Sequence, residues 1–171
     1  MKGNTVIREV EGDILLSKAE LIAHGIAPHD HFDSGLALAL RERWPSLVRD
    51  YRHALRSKDV HPGDIWPWAG VREDGGALRI INLVTQGTVG DGPTAKPGKA
   101  TLENVGHCLR KLAKFIEDEG IKSLALPRLA TGVGKLEWSD VQPLVQRHLD
   151  HLDIPVFIYT TYRAGKAAEE L

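Results

Sequence analysis

The chain has 171 residues, 42% hydrophobic and 26% charged, with a net charge of −1 at pH 7. That length suits one domain with a core of its own, and near-neutrality excludes a protein held to DNA or membrane by overall charge alone, though not a local basic site. The lone cysteine, Cys108, excludes an intrachain disulfide framework; with no apolar run of membrane-spanning length and no signal-peptide core in "MKGNTVIREVEGD", the expectation is a cytosolic protein.

"NTVIREVEGD" alternates around Val6, Ile7 and Val10 and reads as a first strand ending at Gly12. "AELIAHGIA" has the short apolar centre of a buried second strand and runs into the polar loop "PHDHFDSG". Leu36, Leu40 and Trp44 recur at helical spacing. Pro45 closes that helix and opens another, with Leu47, Val48, Tyr51 and Leu55 on one face. "GDIWPWAG" is a strand that Pro67 confines to an edge or a bulge. Its Trp66 and Trp68 suit either the core or a partner surface. "EDGG" is a hairpin signal leading into the strand "ALRIINLVT".

"QGTVGDGPTAKPGKA" shows no periodicity and reads as a long functional loop. "TLENVGHCLRKLAKFIEDEG" is an amphipathic helix, with Thr101 and Asn104 near its start and Gly120 at its end. Cys108 falls in its apolar pattern and reads as core. "IKSLALP" is a strand. "WSDVQPLVQRHLDHL" is a helix capped by Ser139, with Pro143 still in its first turn. "IPVFIYTTY" is the last strand, and residues 162–171 form a frayed tail. Alternating strands and helices predict a three-layer α/β/α sandwich around a mixed, largely parallel sheet, one domain over 1–171.

In such sheets ligands sit beyond the carboxyl ends of the strands. Three loops of unusual composition leave strands there: "HGIAPHDHFDSG", the Gly/Pro stretch after Val84, and "LATGVG". Gly35, Gly132 and Gly134 permit close backbone approach, and clustered N–H groups bind phosphate without Lys or Arg. The pairs His29/His31 and His148/His151 lack the further ligands of a metal site, so no metal and no cofactor is expected. No dense basic cluster stands out; Arg110, Lys111 and Lys114 mark the outer face of a helix.

These residues carry a resemblance. From about Val6 to Tyr159 the chain resembles a macrodomain, the ADP-ribose-binding fold, through "VEGDIL", "LIAHGIA", "SGLALAL", "LPRLATGVGKLEWSDV" and "FIYTTY". Its Ala-His, Pro-Arg-Leu and Leu-Glu-Trp elements are most similar to the terminal ADP-ribose protein glycohydrolase branch, which includes antitoxin glycohydrolases acting on DNA bases. The resemblance implies that Asp13 accepts from the adenine amino group, with the Ile14 N–H nearby. Ser34, Gly35 and Leu36 bracket the diphosphate and distal ribose from one side, and Thr131, Gly132, Val133 and Gly134 from the other. Tyr159 packs beside the adenine, and His24 lies near the ligand.

The chain departs from the branch twice. Gln86 stands where the branch has its attacking lysine, and Gly134 where it has an aspartate. Asp33 is then the candidate for positioning water at C1″ of the distal ribose. Lys96 and Lys99 are alternatives, as is a diphosphate that itself steers the water. The resulting expectation is an ADP-ribosyl glycohydrolase that removes mono-ADP-ribose from acidic side chains, or from nucleic-acid bases, without a lysyl adduct. Its partners are ADP-ribose and ADP-ribosylated protein or nucleic acid, with no membrane. The alternatives are a non-catalytic ADP-ribose reader and a generic nucleotide- or RNA-binding α/β domain.

Overall fold

A computed structural model describes residues 6–57 and 59–170. Asn4 and Thr5, read at the head of the first strand, and Leu171 of the tail lie outside the described residues. Strands β1 (Val6–Gly12), β2 (Leu21–Ile26), β3 (Ile65–Val71), β4 (Ala77–Val84), β7 (Leu124–Pro127) and β8 (Pro155–Tyr162) form one sheet in the order β1-β8-β7-β2-β4-β3. All neighbours are parallel except β3, which runs antiparallel to β4. Pro67 has no N–H to donate, so β3 belongs at an edge, and there it lies.

The period of two decides the layers. Leu21, Ala23, Ile81 and Leu83 face α3 (Leu102–Glu119) and α4 (Trp138–Leu149), meeting Leu109, Leu112 and Val145. Ile22, Ile26, Ile80 and Val84 face α1 (Gly35–Arg43) and α2 (Pro45–Ser57), meeting Leu40, Leu47 and Tyr51. The product is a three-layer α/β/α sandwich with a mostly parallel sheet. Each buried aliphatic side chain contributes roughly 1.5–3 kcal/mol of transfer energy, and both helical layers depend on it.

Trp66 and Trp68 are half-buried and pack against the α1/α2 core. Trp66 meets Tyr51 edge-on at 5.3 Å, and Trp68 Nε1 donates to Asp50 Oδ2 at 2.8 Å. In α3, Cys108 is fully buried, and desolvation pushes its thiol up to about 12. Thr101 Oγ1 accepts from the Asn104 N–H at 3.1 Å, and Gly120 ends α3 in the left-handed region at φ 63°. A Cβ is strained there, so Gly120→Ala is expected to cost about 1 kcal/mol, read as a lower urea midpoint with an unchanged m-value.

Three expectations are corrected. The stretch 86–100 is not an irregular loop but a hairpin, β5 (Gln86–Val89) with β6 (Lys96–Ala100). Its pairing is backbone-driven: a Cβ on Gly98 would lie 3.2 Å from the Gly87 carbonyl oxygen, so close glycine backbones replace the side-chain alternation that marks other strands. Helix α4 is capped at Glu137, not Ser139, because the N–H groups of Asp140 and Val141 both close onto the Glu137 carbonyl; Pro143 is therefore interior.

The tail is not frayed. The Asp13 N–H donates to the Lys166 carbonyl at 2.8 Å and the Arg163 N–H to the Gly12 carbonyl at 3.1 Å. Glu170 accepts from Ser17 Oγ at 2.6 Å, the Lys18 N–H at 3.0 Å and the Tyr159 hydroxyl at 2.7 Å. A composition of Ala, Gly, Lys and Glu hides this, because the anchors are backbone atoms and one carboxylate.

Candidate functional site

The carboxyl ends of β2, β4 and β7 open under two adjoining hollows. The first, about 330 Å³, is lined by the loop after β2, the start of α1, Gln86, and residues 127–130 and 132–134. The second, about 360 Å³, is lined by Gly12, Ile14, Ala39, Tyr159 and Tyr162. Gly35, Leu36 and Pro127 line both. The first presents backbone and polar groups; the second is walled mainly by aliphatic and aromatic carbon.

Two stretches whose amides lack carbonyl partners among the described residues border the first hollow. Helix α1 begins at Gly35 (φ 58°), and its Ser34 cap makes no side-chain bond to it. The N–H groups of Gly35, Leu36 and Ala37 are left over by helix geometry. Opposite, those of 131–134 donate to no carbonyl among the described residues. That loop is held open by strain and by ties at its base. Ala130 (φ 64°) and Lys135 (φ 67°) are left-handed without being glycine. The Leu136 N–H donates to the Ala130 carbonyl at 3.0 Å, and the Ala100 N–H to the Gly134 carbonyl at 3.0 Å. Small residues and a helix N-terminus together are an arrangement suited to an anion.

Of the residues expected from sequence, His24, Ser34, Gly35, Leu36, Gln86, Gly132, Val133 and Gly134 line the first hollow. Ile14 and Tyr159 line the second. Thr131 lines neither, and its hydroxyl donates to the Arg128 carbonyl at 2.9 Å. Asp13 is buried behind the second hollow. Its Oδ1 accepts from the Leu15 N–H at 3.0 Å in the turn after β1 and its Oδ2 from the Gly165 N–H of the tail at 2.9 Å; each oxygen keeps a second acceptor site. Burial first, then the bond to Glu170, raises the pKa of the Tyr159 phenol.

Asp33 is exposed and outside the lining, as are Lys96 and Lys99. The aspartate that does line the hollow is Asp30, whose oxygens accept from the Ala27 and Phe32 N–H groups at 2.9 Å each and staple the loop. Gln86 Nε2 donates to the Gly98 carbonyl at 3.0 Å, a bond between the two strands of the hairpin. His31 ties the hairpin to the loop after β2 through the Ala95 carbonyl at 2.8 Å.

A family model for the Macro domain matches residues 24–145, a span that contains both amide sets. The chain belongs to the Macro domain family. This macrodomain is 31% identical over 159 residues to a DNA ADP-ribosyl transferase–DNA ADP-ribosyl glycohydrolase fusion protein of Thermosipho africanus, covering 88% of this chain and 40% of that one. It thus spans about two fifths of that relative. It is 24% identical over 156 residues to the human ADP-ribose glycohydrolase OARD1, covering 90% of this chain and 91% of the other. A solved structure of Thermosipho africanus DarTG in complex with ADP-ribose superposes with a TM-score of 0.78 at 26% identity, covering 98% of this chain and 44% of that one. The named relatives are ADP-ribosyl glycohydrolases.

Four residues of this macrodomain's site region escape a reading of its sequence. Arg128 lines the first hollow and is exposed, a cation beside the amides. Tyr162 walls the second hollow. Asn82 pairs with His24, Oδ1 to Nε2 at 2.6 Å; a lone Asn inside "RIINLV" is the visible signal of a buried polar contact. Glu170 holds the tail against Tyr159, with nothing in the sequence to mark it. Removing its carboxylate orphans a part-buried set of donors. Glu170→Ala is therefore expected to lower stability by about 2 kcal/mol, measured by urea unfolding, and an unchanged midpoint would show the tail to be idle.

Proposed function

We propose that the chain binds ADP-ribose across the two hollows and hydrolyses the bond joining its distal ribose to a macromolecule. The observation that carries this reading is the pair of amide sets facing each other over one hollow beside an apolar one. A diphosphate suits the first and a purine the second. The diphosphate lies between the N–H groups of Gly35–Ala37 and 131–134, with Arg128 at its edge. The adenine packs between Leu36, Tyr159 and Tyr162. Asp13 anchors the Ile14 turn and the tail through one hydrogen bond on each oxygen, and its remaining acceptor capacity suits the adenine amino group. The distal ribose falls beside Gln86, His24 and Ser34.

Gln86 is no nucleophile, so water attacks C1″ directly. The amides work by holding a charged leaving fragment still and in line, which removes much of the entropic barrier. Asp33 stands outside the lining, which leaves the lining itself or the bound diphosphate to position the water.

Charge favours a nucleic-acid substrate over an acidic protein. Arg41, Arg49, Arg52 and Arg56 line one hollow of about 350 Å³ with no acidic residue in its wall. Arg49, Arg52 and Arg56 are exposed and unpaired with any carboxylate among the described residues. Arg41 shares α1 with Gly35, about 9 Å along the helix at 1.5 Å per residue. Arginine forks suit phosphate. The sequence expectation of no dense basic cluster is corrected here: spacings of three and four residues scatter the cluster along the chain and gather it on one helical face.

The test is release of free ADP-ribose from two substrates, a single-stranded oligonucleotide ADP-ribosylated on a base and a protein automodified on glutamate. Faster release from the oligonucleotide is expected. Release from the protein alone would restore the acidic-side-chain reading, and binding without release from either would leave a reader.

A further inference from the structure

His24 sits on β2 with its ring 2% exposed and in the wall of the first hollow. Asn82, its register partner on β4, determines where the ring's proton lies. Asn82 Nδ2 donates to the Trp66 carbonyl at 3.0 Å, which leaves Oδ1 facing His24 Nε2 at 2.6 Å. An amide oxygen only accepts, so Nε2 carries the hydrogen and Nδ1 keeps a lone pair. Nδ1 has no hydrogen-bond partner among the described residues. Phe32 meets the ring edge-on at 6.1 Å and limits its rotation. Burial lowers the pKa of His24 below its ordinary value, against smaller opposing effects of Asn82 and Asp30. Asp30, in the loop after β2, is the charged group acting on the ring; Gln86, in the same lining, is neutral.

We propose that His24 is the catalytic base, its Nδ1 taking the proton of the water that attacks C1″ of the distal ribose. This rests on the hydrolase reading above. The water oxygen bonds to C1″, and the bond from C1″ to the macromolecule breaks, its electron pair leaving with the departing oxygen or nitrogen. The proton on Nδ1 passes to a departing base, or to solvent where a carboxylate departs. Asp30 stabilises the imidazolium while it lasts. The orientation comes from Asn82, a positioning residue: without its oxygen, the ring is free to hold its hydrogen on Nδ1, where it cannot accept.

The test compares wild type with His24→Gln in single-turnover release, with ADP-ribose binding measured by calorimetry on both. The variant is expected to bind within a few-fold of wild type and to react at least about 100-fold more slowly. The wild-type rate is expected to fall on the acid side as Nδ1 protonates, and the variant to lack that limb. Nitrogen-15 spectra of the wild-type imidazole supply a reading that needs no variant, with the hydrogen expected on Nε2. A variant within two-fold of wild type, an acid limb that survives in it, or a wild-type hydrogen on Nδ1 overturns the assignment and leaves the hydrolase reading intact. No wild-type release from any substrate overturns both.

Discussion

Gly134→Ala is expected to weaken ADP-ribose binding by at least about 100-fold, since the loss of two or more charge-assisted hydrogen bonds amounts to roughly 3 kcal/mol. Gly134 is buried, and an added Cβ would stand 2.6 Å from the Ala130 carbonyl oxygen and 3.0 Å from Ala100 Cβ. Neither neighbour is the end of a flexible side chain. Ala130 is already left-handed and accepts the Leu136 N–H, and Ala100 is tied to the same loop. The loop has to move, and its amides move with it. The same reasoning predicts that Gly134→Asp does not restore the branch's aspartate as a working group. Gly132 is the internal control, because a Cβ there meets nothing within 4 Å. Gly132→Ala is expected to keep the thermal midpoint of the wild type and to lose less affinity. Calorimetry with ADP-ribose and thermal unfolding check both, and equal affinity for Gly134→Ala and wild type would refute the cradle.

Reversing the arginines of α2 is expected to act on the macromolecule and spare the nucleotide. For Arg49→Glu, Arg52→Glu and Arg56→Glu together, affinity for an ADP-ribosylated single-stranded oligonucleotide should fall steeply. The slope of log affinity against log salt should shrink by about 2, at about 0.7 for each phosphate no longer neutralised. These side chains are exposed, and no partner among the described residues depends on them, so stability should change by less than about 0.5 kcal/mol. Affinity for free ADP-ribose should stay the same. An unchanged salt slope would move the docking surface elsewhere.

The layers of the fold were legible because two periods were clean. The apolar runs within Leu21–Ile26 and Ala77–Val84 read as strands, and Val105, Leu109, Leu112 and Ile116 as one helical face; Leu21, Ile22, Ala23, Ile26, Leu78, Ile80, Ile81, Leu83, Val84 and those four helix residues are in the core. The glycine loops stood out because small residues leave a compositional trace, and Gly35, Gly132 and Gly134 line one hollow. The β5–β6 hairpin was not, since backbone pairing between glycines has no side-chain period. Nor was the anchored tail, which is joined to residues more than 150 positions away, as Glu170 is to Ser17. Asp33 was singled out by adjacency to Ser34-Gly35, yet the loop's fold turned Asp30 inward and Asp33 out. Distance in three dimensions, absent from a string of letters, decided between two aspartates three positions apart.

Cys108 has a practical consequence. It is the chain's sole thiol, it is fully buried, and it lies in the layer opposite α1 and α2. With its pKa near 12 it forms almost no thiolate at neutral pH. A maleimide or disulfide reagent therefore reacts only with molecules in which α3 has come away from the sheet. The alkylation rate of the unmodified protein is thus a native gauge of how often that layer opens. Any nucleotide that favours the closed form should slow the reaction in proportion to its occupancy, without a dye, a tag or a mutation.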